Sequence, residues 1–162
     1  MKELILKGFP IPPSINAQFI GSGRGRIIKS PAARLFDSHV QIYRIKNLRT
    51  LNNIMVTAHN WCSETGGLSV EIFYVLPKQE VYSKKSEVKQ KDQNNFLKST
   101  LDGLAKIIEI DDKFFFNNTC EKLTCNLESD RQAIIKIKPH KPRTYEDLLN
   151  EINAASHKDI KT

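Results

Sequence analysis

The run Lys91–Phe116, KDQNNFLKSTLDGLAKIIEIDDKFFF, limits what this chain can fold into more than any other stretch. At about 100° per residue, Leu97, Leu101, Leu104 and Ile108 fall on one side of a helix. Asn95, Lys98, Asp102 and Glu109 fall on the other. Asp92 is a good N-cap, because its carboxylate can accept the free N–H groups of the first turn. Asp111-Asp112 then interrupts the pattern before an aromatic run. Such a helix has to lay its apolar stripe on another layer, and it sets its two acidic ends apart by its own length. Each piece has an ordinary role open to it. Asp92 can be only a cap, Lys98 a solvated lysine paired with Asp102 one turn on, and Asp111-Asp112 a turn. Together, acidic positions flanking a helix with a lysine on its polar side suit a divalent cation held near phosphate.

The rest of the chain supplies the layers. Lys2 to Pro10 reads as a strand in which Leu4, Leu6 and Gly8 alternate with Ile5, Lys7 and Phe9, ended by the prolines at 10, 12 and 13. Ala32 to Cys62 reads as one long helix or two joined ones. Its stripe is Leu35, His39, Ile42, Ile45, Leu48, Leu51 and Ile54, and Gly66-Gly67 stops it. LSVEIFYVL, Leu68 to Leu76, is an alternating strand rich in β-branched and aromatic residues. Phe114–Leu127 and Gln132–His140 read as two further strands forming a hairpin. Thr144 to Ala155 is a short helix, with Thr144 and Asp147 as a capping box and Leu148, Leu149 and Ile152 as its stripe. This order predicts an α+β fold, a small mixed sheet packed with helices. At 162 residues, with no repeat and no shift in composition, the expectation is a single domain over 1–162. The last residues are expected to fray.

Two stretches resist packing. Gly21 to Ser30, GSGRGRIIKS, reads as a flexible loop bearing Arg24, Arg26 and Lys29. It lacks the lysine and spacing of a phosphate-binding P-loop, so no nucleotide cofactor is expected. Residues 78–91 read as a lysine-rich loop that carries Lys84, Lys85, Lys89 and Lys91 up to Asp92. Both can rest on a DNA backbone, and both can equally be solvated linkers. Net charge is +7, which permits a polyanionic partner without requiring one. Cys62, Cys120 and Cys125 are odd in number and irregularly spaced, which fits reduced thiols better than disulfides or a zinc site. His39 and His59 have no partner at ligand spacing. No apolar run is long enough for a bilayer, and MKELILKGFP lacks the features of a signal peptide, so a cytoplasmic protein is expected.

Asp92, Asn95 and Lys98, followed by Leu101-Asp102-Gly103-Leu104 and then by Asp111-Asp112, resemble the motif series of the RusA family of Holliday-junction endodeoxyribonucleases. Pro12-Pro13-Ser14-Ile15-Asn16 is similar to the opening P-P-S-x-N of that family. The resemblance runs from about Pro12 to Lys122. One position departs from it: Asn94 stands where the family commonly has a second aspartate.

The resemblance implies an Mg2+-dependent endonuclease, with Mn2+ as a substitute, that resolves four-way junctions by symmetric paired cuts in recombination and repair. It implies a RusA-like fold, a homodimer with two equivalent sites, and a bacterial or prophage origin. Asp92, Asp111 and Asp112 then become the metal ligands, with Lys98 as a positive charge beside the phosphate and Asn16 on the edge of the site. A neutral Asn94 weakens the attraction for a hard dication. The alternative is therefore a protein that grips branched DNA and cuts it weakly or not at all. A third reading, a basic protein-interaction module, predicts that these residues do not converge.

Overall fold

The computed structural model describes residues 3–14, 17–22, 26–83 and 94–156. Strand β1 (Leu4–Phe9) is followed by a hairpin, β2 (Phe19–Ser22) and β3 (Arg26–Lys29). Helices α1 (Pro31–Lys46) and α2 (Leu48–Thr65) lead to the long strand β4 (Gly67–Pro77) and a single helical turn, α3 (Lys78–Val81). Helix α4 (Asn94–Ile108), a 3-10 turn (Asp112–Phe114), β5 (Phe115–Cys125), a second 3-10 turn (Glu128–Asp130), β6 (Gln132–His140) and α5 (Tyr145–Ser156) complete the order. The main sheet runs β1-β6-β4-β5, with β6 antiparallel to both its neighbours and β5 parallel to β4. This is the expected α+β architecture with a mixed sheet.

β4 takes a central position because every second side chain on it is apolar and buried. Leu68, Val70, Tyr74 and Leu76 are fully enclosed, Ile72 nearly so, and Ala133, Ile135 and Ile137 of β6 continue the same face. Helices α1, α2 and α4 cover that face. On the other face Lys136 lies over the ring of Phe73, and Lys138 reaches Glu71 at 2.7 Å and Glu3 at 3.9 Å. The expected β5–β6 hairpin does not form, since β4 lies between the two strands. Consecutive strands usually neighbour one another. Here the half-polar β5, exposed along most of its length, suits the sheet edge, and the apolar β4 suits the middle.

The helical region is two helices hinged at Asn47, which ends α1 by donating its side-chain amide to the Tyr43 carbonyl at 2.9 Å. The α1 part of the expected stripe faces outward: Leu35, Ile42 and Ile45 are exposed, Ile45 by 74%, as is Leu48 at the start of α2. The buried face is Ala33, Phe36, Val40 and Tyr43. Both sets recur at helical spacing, and the one with the rings wins because it buries more area. Tyr43 also donates its hydroxyl to the Lys7 carbonyl at 3.0 Å, which the aliphatic stripe cannot do. In α2 the buried face is Leu51, Ile54, Ala58 and Trp61. Gly66, in the left-handed region at φ 89°, caps α2.

Three further expectations change. In β1 the alternation fails at Gly8, whose φ of 72° makes a bulge and returns Phe9 to the same buried side as Leu6. The glycine-rich loop is a hairpin instead, with Phe19 paired to Lys29 and Ser22 to Arg26, because β-prone Phe19-Ile20 and Ile27-Ile28 flank it. The lysine-rich loop begins with α3, whose Val81 is buried, while residues 84–93 lie outside the described part. The capping box of α5 forms as expected: Thr144 N–H donates to Asp147 at 2.8 Å and Asp147 N–H to the Thr144 hydroxyl at 3.1 Å. The stripe Leu148, Leu149 and Ile152 on α5 stays exposed. No helix among the described residues is long and apolar enough to cross a membrane.

α4 is anchored by one buried polar link. Thr100 donates to the Phe96 carbonyl at 3.0 Å, leaving its oxygen to accept the Tyr74 hydroxyl at 2.9 Å. Both side chains are fully buried, and burial pushes the Tyr74 phenol well above its usual pKa. Thr100→Val removes the acceptor and leaves the Tyr74 hydroxyl unsatisfied. It is expected to lower unfolding free energy by about 1–3 kcal/mol, read by urea denaturation with an unchanged slope.

Candidate active site

α4 carries most of the residues that the motif series singled out. Its buried side is Phe96, Thr100, Leu104, Ile107 and Ile108. Leu97 and Leu101, half of the expected stripe, are partly buried, and with Ala105 they make a strip along the helix that packs against the edge of the core. Gly103 faces the core: a Cβ there would stand 3.2 Å from the Phe9 ring and 3.4 Å from Val40, so the glycine lets β1 and α1 approach. Lys98 is exposed and meets Asp102 one turn on at 3.7 Å. That is the simple ion pair open to these two residues from their spacing.

The N-terminal motif comes to the same helix. Pro13 lines a small cavity of about 80 Å³ together with Ser99, Asp102 and Gly103 of α4. Lys29 and Asp37 also border it, joined at 2.6 Å, and Lys106 reaches Asp37 at 3.9 Å. These exposed pairs contribute little to stability. Their effect is positional, since they tie the β2–β3 hairpin to α1 and α4. Lys29 is therefore engaged with Asp37. Arg26 contributes backbone to β3.

At the far end, Ile108 is the last helical residue. Glu109 turns the chain with a positive φ of 55° and pairs with Arg44 of α1. Ile110 N–H bonds back to the Ala105 carbonyl at 3.2 Å. Asp111 then caps the 3-10 turn. It accepts the Lys113 N–H at 3.1 Å, and the Lys113 ammonium lies 3.1 Å from its other oxygen. These two contacts, with a hydrogen bond to the neighbouring Asp112 carboxyl, hold the Asp111 carboxyl below the usual carboxylate range. Asp112 is exposed, and no ion pair with a described residue holds its carboxylate. The adjacent aspartates thus divide: Asp111 shapes the turn and Asp112 is left facing solvent.

An open cleft of about 420 Å³ lies beside this turn, between Glu109–Asp111, Phe114 and the α2 residues His59, Cys62 and Ser63. Burial raises the Cys62 thiol pKa, which opposes a role as a thiolate nucleophile. A second cleft of about 440 Å³ opens where β5 begins, walled by Phe116, His140, Arg143 and Tyr145. The motif reading did not reach these four. The only signal was the aromatic run after Asp112, and which of its rings faces outward depends on strand register.

The structure does not bring all the motif residues into one described cluster. Asn16, Arg24, Lys84, Lys85, Lys89, Lys91 and Asp92 lie outside the described residues, and Asn94 contributes backbone at the start of α4. Among the described residues no group of three His, Cys, Asp or Glu could hold a metal ion. A helix of 15 residues rises about 21 Å, so the Asn94 and Asp112 ends of α4 stand about that far apart.

A family model described as Endodeoxyribonuclease RusA matches residues 10–145, which include every motif above. A search of curated proteins finds no match. Matched over most of its length, and with an α+β fold, the chain belongs to the RusA endodeoxyribonuclease family, whose activity is the resolution of Holliday junctions.

Proposed function

We propose that this protein is a divalent-metal-dependent junction resolvase that works as a homodimer, residues 1–162 acting as one RusA-like unit. The observation that carries the reading is the exposed Asp112 carboxylate, on the 3-10 turn that follows α4, while Asp111 caps that turn. The donor set suits a hard cation, since Asp111 and Asp112 offer only oxygens. Magnesium typically takes one or two carboxylates and completes its shell with substrate phosphate and water. Asp92 and Asp112, with Asp111 beside them, are the proposed ligands. When bound, the cation activates water and stabilises charge at the cut phosphodiester. Lys98 contributes a positive charge beside the phosphate, kept in place by Asp102. Asn16, Arg24, Arg26, Lys29 and the lysines at 84, 85, 89 and 91 are the proposed contacts to the DNA backbone. Those contacts position the junction and carry no sequence information.

The span of α4 supports a particular dimer. Two copies of the helix packed antiparallel about a two-fold axis lay the Asp92 end of one against the Asp112 end of the other, at both ends at once. The partly buried strip of Leu97, Leu101 and Ala105 leaves an apolar margin along the length such a packing would cover.

The test is cleavage of a labelled synthetic four-way junction with Mg2+, running the chain beside Asn94→Asp. Paired symmetric nicks are expected from both, with the variant faster by on the order of 10-fold through its added ligand charge. Tight junction binding with cuts by the variant alone would favour the branched-DNA-binding alternative. No preference for the junction over linear duplex by either protein would overturn both readings.

A further inference from the structure

We propose that the cleft between Phe116, His140 and Tyr145 receives a DNA base turned out of the strand stack at the branch point. This rests on the resolvase reading above and assigns that site a means of telling a junction from a duplex.

The first observation is a register shift. Leu68 pairs with Phe115 and Ser69 with Asn117, so Phe116 is the extra residue of a bulge in β5. A bulge re-aims one side chain out of the normal alternation. Phe115 is accordingly buried, whereas Phe116 is 54% exposed. The second is that this exposed ring is held. It lies on bare backbone at Gly67, where a Cβ would come within 2.4 Å of it. His140 stacks beside it at 6.4 Å between centroids and 21° between planes. An exposed ring braced in one orientation is prepared to stack on something flat.

The surroundings identify the partner's chemistry. Tyr145 is 68% exposed on the same cleft, and Lys141 and Arg143 precede it. Arg143 shares its charge with Glu151, and Lys141 is exposed. Aromatic faces edged by cations are the arrangement that binds unstacked nucleic-acid bases. The volume of about 440 Å³ is ordinary for a small-molecule cleft. Chain length places the Phe116 backbone at most about 14 Å from that of Asp112. That is about four nucleotide steps along a strand. Bases inside a continuous duplex stay stacked and cannot enter. A branch point exposes bases, and every base has a face to stack, so the contact selects shape without selecting sequence.

The experiment uses the whole chain in EDTA, so that nothing is cut. Affinities for a four-way junction and a duplex of the same arm sequence are measured for wild type, Phe116→Ala and Phe116→Trp. The alanine variant is expected to lose junction affinity on the order of 10-fold with duplex affinity unchanged. The tryptophan variant restores it, and its added emission is quenched by junction and not by duplex. The native Trp61 is buried and serves as background. Equal loss on both DNAs, no loss on either, or an unquenched signal from the introduced indole overturns the platform while leaving the resolvase reading intact. A wild type without junction preference removes the reading beneath the platform, and the platform with it.

Discussion

Replacing Asp112 with alanine is expected to reduce junction cleavage by about 10³-fold or more and to leave junction binding within a few-fold of wild type. The magnitude is that of losing a group that stabilises charge only as the phosphodiester is cut. Binding is spared because lysines and arginines contacting phosphates supply most of the affinity for DNA. Asp111→Ala removes the cap and a proposed ligand already engaged by Lys113, so a milder loss of cleavage is expected, accompanied by a lowered melting temperature. The lowered melting temperature is expected of this variant and not of Asp112→Ala, which separates turn-making from chemistry as a double substitution would not. Subunit mixing then tests the antiparallel dimer. Asp92→Ala and Asp112→Ala are each expected to be inactive alone. If each site combines Asp92 of one copy with Asp112 of the other, a mixed dimer holds one site with both aspartates and one with neither. Nicking of one strand therefore returns on mixing. Continued inactivity, with mixed dimers shown to form, would place both aspartates of each site in one chain.

Phe9→Ala is expected to cost about 3–5 kcal/mol of folding free energy, the usual range for emptying a buried aromatic site. Against a total of about 5–15 kcal/mol for a domain, that is enough to leave the chain partly unfolded at 37 °C. The side chain is fully buried, meets the Tyr43 ring edge-on at 5.4 Å and lies under Gly103 of α4. It joins β1, α1 and α4, so the hole cannot close by a local shift. A fall in the urea midpoint without a change in slope checks it, and a loss under about 1 kcal/mol would show the site to be less tightly packed than described.

Local chemistry made several features legible in sequence. β4 and β6 follow from alternation of apolar residues, and the Thr144–Asp147 capping box forms as its spacing suggests. The Lys98–Asp102 pair also forms, because residues four apart on a helix are neighbours whatever surrounds them. The family could be read from the motifs of α4 and the N-terminal prolines, because those residue types recur at set spacings.

What failed had two locally equal answers. On α1 two apolar sets share the helical period, and the choice between them was made by β1 and α4, which could seat Phe36 and Tyr43. β5 and β6 are adjacent in sequence, yet β4 lies between them, because the most apolar strand gains most from covered flanks. Phe114, Phe115 and Phe116 are indistinguishable as letters, and a bulge against Leu68 and Ser69 turned only Phe116 outward. Asp111 and Asp112 are likewise identical in composition. The turn that follows α4 takes the first as its cap and leaves the second exposed. Spacing along a chain determines which residues can share a face. Which face is buried, and which of two equal side chains meets solvent, depends on the surface that arrives from elsewhere in the chain.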